Sequence, residues 1–312
     1  MFEAPPSSTL SLGDLVGRGF RSVRLHLMLW CGKLFLPSIL TSLSLAGTKV
    51  LFIRWVEPRS PDPSFTMLTG GGIILCIALL IYGQWLFTLR SLALARMAVF
   101  GGISFEDAYK YAWKHKWTAF GLYNAGVLIP LVVLIFWCAV AVGSLFFASA
   151  IQGMLLVLSG LILFAIGLGM TLTLAWSILY TSLAFTVLAA EDVSLARLLK
   201  RARDLAVPYL WRGGSFVCLL AICLVCVTIA LEVPMVVAAI IEVFVRGTPK
   251  AQDVYRMPIE LQILGTACDT LVSIVVVAVA VQCDALYYND LRLRLEGSDL
   301  LKKLSRFDAE AK

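Results

Sequence analysis

Ser104-Phe105-Glu106-Asp107-Ala108-Tyr109-Lys110-Tyr111-Ala112-Trp113-Lys114 separates two long apolar runs and reads as a short amphipathic helix. Its apolar members Phe105, Ala108, Tyr109, Ala112 and Trp113 recur three and four apart, the spacing of one helical face. The pattern returns at Ser194-Leu195, followed by Leu198, Leu199, Lys200, Ala202 and Leu205. It occurs earlier at Ser11-Leu12, followed by Asp14, Leu15, Val16 and Phe20. Each copy stands before a hydrophobic run long enough to cross a bilayer, which takes about 20 residues. The chain therefore reads as an all-α integral membrane protein with six transmembrane helices, organised as three repeats of an interfacial amphipathic helix plus two spans.

Composition requires the same solvent. Of 312 residues, 60% are hydrophobic and 15% charged, against about 25% charged in soluble domains, so there is too little polar surface to face water all round. The expected spans run from about Leu34 to Ile53, Gly72 to Leu89, two within the uncharged stretch Trp117 to Ala190, Gly214 to Leu231 and Leu261 to Ala285. The third and fourth turn at Ala148-Ser149-Ala150-Ile151-Gln152-Gly153. Gly70-Gly71-Gly72 is expected to break the chain before the second span, and Glu232 with Pro234 to kink the fifth, whose helix continues past them over Met235 to Val245.

The repeat keeps register. Ser11 to Ser104 is 93 positions and Ser104 to Ser194 is 90; Pro37 and Pro130 each stand 26 positions after their serine. The units cover about 11–100, 104–190 and 194–297 within a single membrane domain, 11–300. Residues 1–10 form a loose leader and 301–312 a tail, with a degenerate fourth opening at Glu296-Gly297-Ser298-Asp299-Leu300-Leu301.

Charge sets the orientation. Twenty of the 26 lysines and arginines fall before the first span, between the second and third, between the fourth and fifth, and after the sixth. The excess of basic residues on cytoplasmic loops then places both termini and all three connectors in the cytoplasm, on the inner face of a cell inner membrane. The amphipathic helices are expected to lie in the headgroup plane of the anionic inner leaflet. There they either frame the bundle or form a platform for lipids or a cytoplasmic or membrane protein partner. Lys110, Lys114, Arg197, Lys200 and Arg201 are the headgroup candidates.

Within the spans Asp269 is the acid expected deepest, with Asn124 and Gln84 as further polar candidates; intramembrane carboxylates mark ion or proton paths often enough to be tested. Asp284 reads as a charge at the inner boundary. His26 and His115 lie too far apart in sequence to suggest a shared metal, and Cys223 and Cys226 form a CxxC spacing wholly among apolar residues. No metal, cofactor, nucleic-acid partner or catalytic pairing is expected.

The close of the sixth span, Leu286-Tyr287-Tyr288-Asn289-Asp290-Leu291-Arg292-Leu293-Arg294-Leu295-Glu296-Gly297-Ser298-Asp299-Leu300, resembles the closing segment of bacterial six-span proteins related to the glycerophosphodiester phosphodiesterase membrane domain and the YciC-like uncharacterised families. The resemblance implies an integral membrane domain, in some members fused to a phosphodiesterase for which this chain has no room. In physical terms Tyr287 and Tyr288 suit the interface, and Arg292 and Arg294 suit phosphate headgroups or packing against the connectors. The function expected is non-catalytic organisation of lipids or of a membrane-associated partner. The alternative is a small transporter or lipid-translocating protein using the bundle interior near Asp269.

Overall fold

The computed structural model describes residues 10–56, 63–149, 156–246 and 259–310, and among these all regular structure is helical. A short helix precedes each of three pairs of long ones. α1 (Leu12–Leu25) leads to α2 (Leu27–Val56) and α3 (Pro63–Phe100); α4 (Phe105–Lys114) to α5 (Lys116–Ser149) and α6 (Leu156–Ala190). α7 (Leu195–Ala206) leads through the 3-10 turn Val207–Tyr209 to α8 (Leu210–Arg246) and α9 (Ile259–Glu310). The described residues contain six stretches long and apolar enough to cross a membrane: Leu27–Phe52, Thr69–Phe100, Lys116–Ser144, Ile162–Ala190, Leu195–Glu242 and Glu260–Gly297. Outward-facing Ile74, Leu75, Val132, Phe136, Phe164 and Ile222 give this surface its apolar character.

The short helices start where the serines predict. Ser11 and Ser104 are N-caps with extended backbone, and each hydroxyl accepts the amide of the aspartate three residues on, Asp14 or Asp107, at 3.2 Å. The same hydroxyl donates back to that carboxylate at 2.6 and 2.7 Å respectively. Each pair satisfies an orphan amide and sets a negative charge at the positive helix end. Ser194 caps by position only, with no side-chain hydrogen bond, and Arg197 stands where the others have aspartate.

The hydrophobic faces of these helices are spent on protein rather than on lipid. Leu15, Val16 and Val23 of α1, Ala108 and Ala112 of α4, and Leu198, Ala202, Leu205 and Ala206 of α7 are all buried. α1 packs on α9, α4 on α3, and α7 on α6 and α9. Burying a leucine stabilises by about 1.5–3 kcal/mol relative to water, and packing Leu198 and Leu205 inward leaves the cations of α7 free to face outward. These buried side chains are therefore not available to lipid, and the three helices frame one end of the bundle as a collar.

α9 is the hub, touching α1, α2, α3, α6, α7 and α8, whereas α5 packs on α3, α4 and α6. At 52 residues and 1.5 Å per residue, α9 is about 78 Å long, well beyond the ~30 Å hydrocarbon layer. α1 approaches it closely at Gly19, where an added Cβ would collide with Cys283 Sγ. Gly101, with φ 72°, ends α3 as its amide bonds Met97 O at 2.8 Å, turning the chain into α4.

Several expectations require correction. α3 begins at Pro63 and runs through Gly70, Gly71 and Gly72 without a break. Lipid offers no alternative partner for a freed amide, so helix persists there, and an added Cβ at Gly72 would lie 3.0 Å from Leu51 Cδ1 on the paired helix. The fifth long helix needs no such correction, since α8 continues past Pro234 to Arg246 as the apolar stretch Met235 to Val245 implied. α9 passes through Glu296 and Ser298 to Glu310, so residues 301–310 of the expected tail are helical and no fourth amphipathic unit opens. The leader's first nine residues, and most of the expected turn at 148–153, lie outside the described residues.

Candidate functional site

Polar groups concentrate where the collar meets the bundle, and Asp290 is the deepest of them. Its side chain is fully buried. Oδ1 accepts the Leu10 amide at 2.9 Å, and Oδ2 accepts Arg212 Nη2 at 3.0 Å and Arg294 Nε at 2.9 Å. Both guanidinium groups also donate to Leu10 O, Arg212 at 2.6 Å and Arg294 at 3.1 Å. One carboxylate and two arginines thus grip both backbone polar groups of Leu10, joining the start of the chain to α8 and α9. A buried carboxylate survives only with such partners.

A second network lies where α7 crosses α9. Arg201 reaches Glu191 at 3.3 Å and Glu296 at 2.6 Å, Arg292 holds the other oxygen of Glu296 at 2.6 Å, and Tyr288 donates to Glu191 at 2.9 Å. Asn289 donates to Val99 O at 3.3 Å. Tyr287 stacks on Phe216, ring centroids 4.3 Å apart.

The third cluster serves carbonyls that helix geometry leaves without partners. The last carbonyls of α6 have no intrahelical donor. Tyr111 donates to Leu188 O at 2.8 Å, and Arg96 donates to Ala189 O at 2.8 Å while lying 3.7 Å over the Tyr111 ring. Burial pushes the Tyr111 phenol up from its ordinary pKa. Beside it Asp192 takes Lys114 at 2.7 Å and His115 at 3.1 Å; its hydrogen bond from Lys114 holds its carboxyl below the usual range. Deeper in the bundle Pro37 has no N–H to offer the carbonyl one turn back, Lys33 O, and Arg90 Nη1 supplies that donor at 2.6 Å. Here a proline in one span explains an arginine in the next.

The structure places the residues singled out in the sequence as follows. Tyr287 and Tyr288 are enclosed by protein and so do not face headgroups directly. Arg201, Arg292 and Arg294 pair with Glu191, Glu296 and Asp290, so their charges brace the collar. Lys110 and Lys114 are exposed beside Asp107 and Asp192. Arg197 and Lys200 are exposed on α7 with no carboxylate partner among the described residues. Asp269 is exposed on the outside of α9, between buried Cys268 and Thr270, so it does not enter the interior. Asn124 donates to Phe120 O of its own helix at 2.7 Å, and Gln84 lies beside Tyr123 of α5. His26 and His115 are the C-caps of α1 and α4. Asp284 is no boundary charge, because it lies in the wall of a cavity inside the bundle.

Sequence reasoning passed over Arg96, Glu191, Arg212 and Asp290 as participants. Their only advance signal was a cluster of charges next to span ends. Searches of known protein families, curated proteins and solved structures found no match to this chain.

Proposed function

We propose that the chain is a non-catalytic protein of the inner membrane, with both termini cytoplasmic, whose collar gathers anionic lipid headgroups and holds a membrane-associated partner against them. The observation that carries this reading is the direction of the collar's charges. With the apolar faces of α1, α4 and α7 turned into the bundle, Arg18, Arg21, Arg24, Lys110, Arg197, Lys200 and Arg203 are exposed on the outer surface. At the α6–α7 corner Lys200 and Arg203 line a hollow of about 630 Å³ together with Tyr180, Leu199, Asp204 and Pro208. Trp113, Trp117 and Trp211 are exposed around the same end, as in the aromatic belts that mark a membrane interface.

The order of short and long helices, with serine caps opening α1, α4 and α7, supports descent from a repeated unit of one short helix and two spans. The resemblance of the closing segment to the six-span families supports an integral membrane domain of that kind. A transport function would have to run through the bundle interior, since Asp269 faces away from it.

Native mass spectrometry from nanodiscs of mixed phosphatidylglycerol and phosphatidylethanolamine tests the reading. Wild type is expected to retain phosphatidylglycerol, and the triple change Arg197→Gln, Lys200→Gln, Arg203→Gln to lose most of it. Equal retention by both proteins rejects the collar as the lipid site. Tags at positions 58 and 250 are expected to react only from outside the cell; labelling from the cytosol alone reverses the orientation.

A further inference from the structure

The cavity walled by Asp284 is about 380 Å³, enclosed by α3, α5, α6, α8 and α9, and falls in the range of small-ligand sites. Its lining is apolar apart from a few hydroxyls and this one carboxylate. The hydroxyls are largely spoken for: Thr181 donates to Ser177 O at 2.9 Å, Thr186 to Ser182 O at 2.9 Å, and Ser182 to Leu179 O at 3.2 Å. Asp284 has no hydrogen bond or ion pair among the described residues. Arg212 and Arg294 belong to Asp290, six positions further along α9, or about 9 Å at 1.5 Å per residue.

Two further features fit the same occupant. Pro130 cannot donate to the carbonyl of Gly126, and Gly126 lies in the cavity wall, so the wall carries a backbone acceptor without its usual partner. Tyr123 and Phe185, in edge-to-face contact at 6.4 Å between centroids, add aromatic surface of the kind cations favour. Val127 and Ile178 belong to the wall yet are 56% and 40% exposed. The cavity therefore opens sideways, toward the surface that faces lipid.

We propose that this cavity is a binding site for a lipophilic monocation, an ammonium or phosphonium centre on an apolar body, which enters from the lipid side and places its charge beside Asp284. A bound cation supplies the counter-charge that lets this acid ionise, whereas an anionic amphiphile cannot pair with it and a neutral one leaves it without a partner in an apolar wall. A bare metal ion finds one carboxylate where hard cations take six or more oxygen ligands. The site is independent of the collar and of any role in lipid recruitment.

The probe pair is tetraphenylphosphonium and tetraphenylborate, nearly the same shape with opposite charge. Equilibrium dialysis against the full chain in phosphatidylcholine nanodiscs is expected to show saturable, one-to-one binding of the phosphonium and none of the borate. Asp284→Asn is expected to weaken phosphonium binding at least tenfold, while Asp269→Asn binds as wild type does. Gly126→Leu, which keeps the acid but fills the cavity, is expected to weaken it likewise; size-exclusion profiles confirm that each variant is folded. Equal binding of both ions, undiminished binding by Asp284→Asn, or no saturable binding by wild type overturns the proposal.

Discussion

Replacing Asp290 by asparagine tests the grip on Leu10 directly, because it removes a charge while keeping the shape. The carboxylate accepts three donors, from Leu10, Arg212 and Arg294. Asparagine offers one acceptor oxygen and turns an NH2 toward a guanidinium. Removing one partner of a buried ion pair costs about 3–5 kcal/mol. The arginine side chains are 22% and 25% exposed, so water partly receives them and the lower figure, about 3 kcal/mol, applies. At 1.36 kcal/mol per decade, release of the Leu10 segment should become about 10²-fold more frequent. Hydrogen exchange in nanodiscs, resolved to single amides, reads this at Leu10, whose N–H is the bonded group. Protection there is expected to fall by about 10²-fold, while amides in the middle of α6 stay as they were. Arg292→Gln, which breaks only the exposed pair with Glu296, should leave Leu10 unchanged. Undiminished protection of Leu10 in a folded Asp290→Asn protein would refute the argument.

Two further outcomes follow from packing and charge. Gly19→Val puts a branched side chain where even a Cβ collides with Cys283 Sγ, whereas Gly17 has no neighbouring atom within 4 Å. Thermal unfolding should show Gly19→Val destabilised by about 1–3 kcal/mol and Gly17→Ala unchanged or slightly stabilised; equal shifts would mean that α1 is not seated on α9. Asp192 has its pKa lowered in the folded protein by Lys114. Its stabilisation is therefore complete above the unfolded value of 3.8 and lost as pH falls through the lower folded value. Asp192→Asn should melt below wild type at pH 7, by a margin that shrinks with salt and closes in acid. A gap that widens on acidification contradicts the sign.

The parts of this fold visible in the sequence are those set by local spacing. Ser11 and Asp14, Ser104 and Asp107 are three apart, so their caps could be read directly, and the apolar stripes of α1, α4 and α7 gave the short helices. What those stripes pack against was not visible, because lipid and protein both attract an apolar face. Aromatic and basic residues near span ends suggested headgroups for Tyr287, Tyr288, Arg292 and Arg294, yet protein carboxylates and rings occupy that space. Asp269 and Asp284 show the same limit within one helix. Hydropathy gives depth along α9 but not direction, since the run Ile274-Val275-Val276-Val277-Ala278-Val279-Ala280-Val281 is apolar on every side. The Lys33–Pro37–Arg90 relation was half legible: the proline announces an orphan carbonyl, but not which distant arginine answers it.

The bond between Leu10 and Asp290 spans 280 positions, joining one of the first residues of this sequence to leave the ribosome with one of the last. Until α9 has been synthesised, the whole α1 arm lacks the surface that seats it. A chain stopped short of residue 290 would thus leave the basic α1 arm without its seat, while a longer one tucks it away. Closure of that single contact reports that α9 is in place.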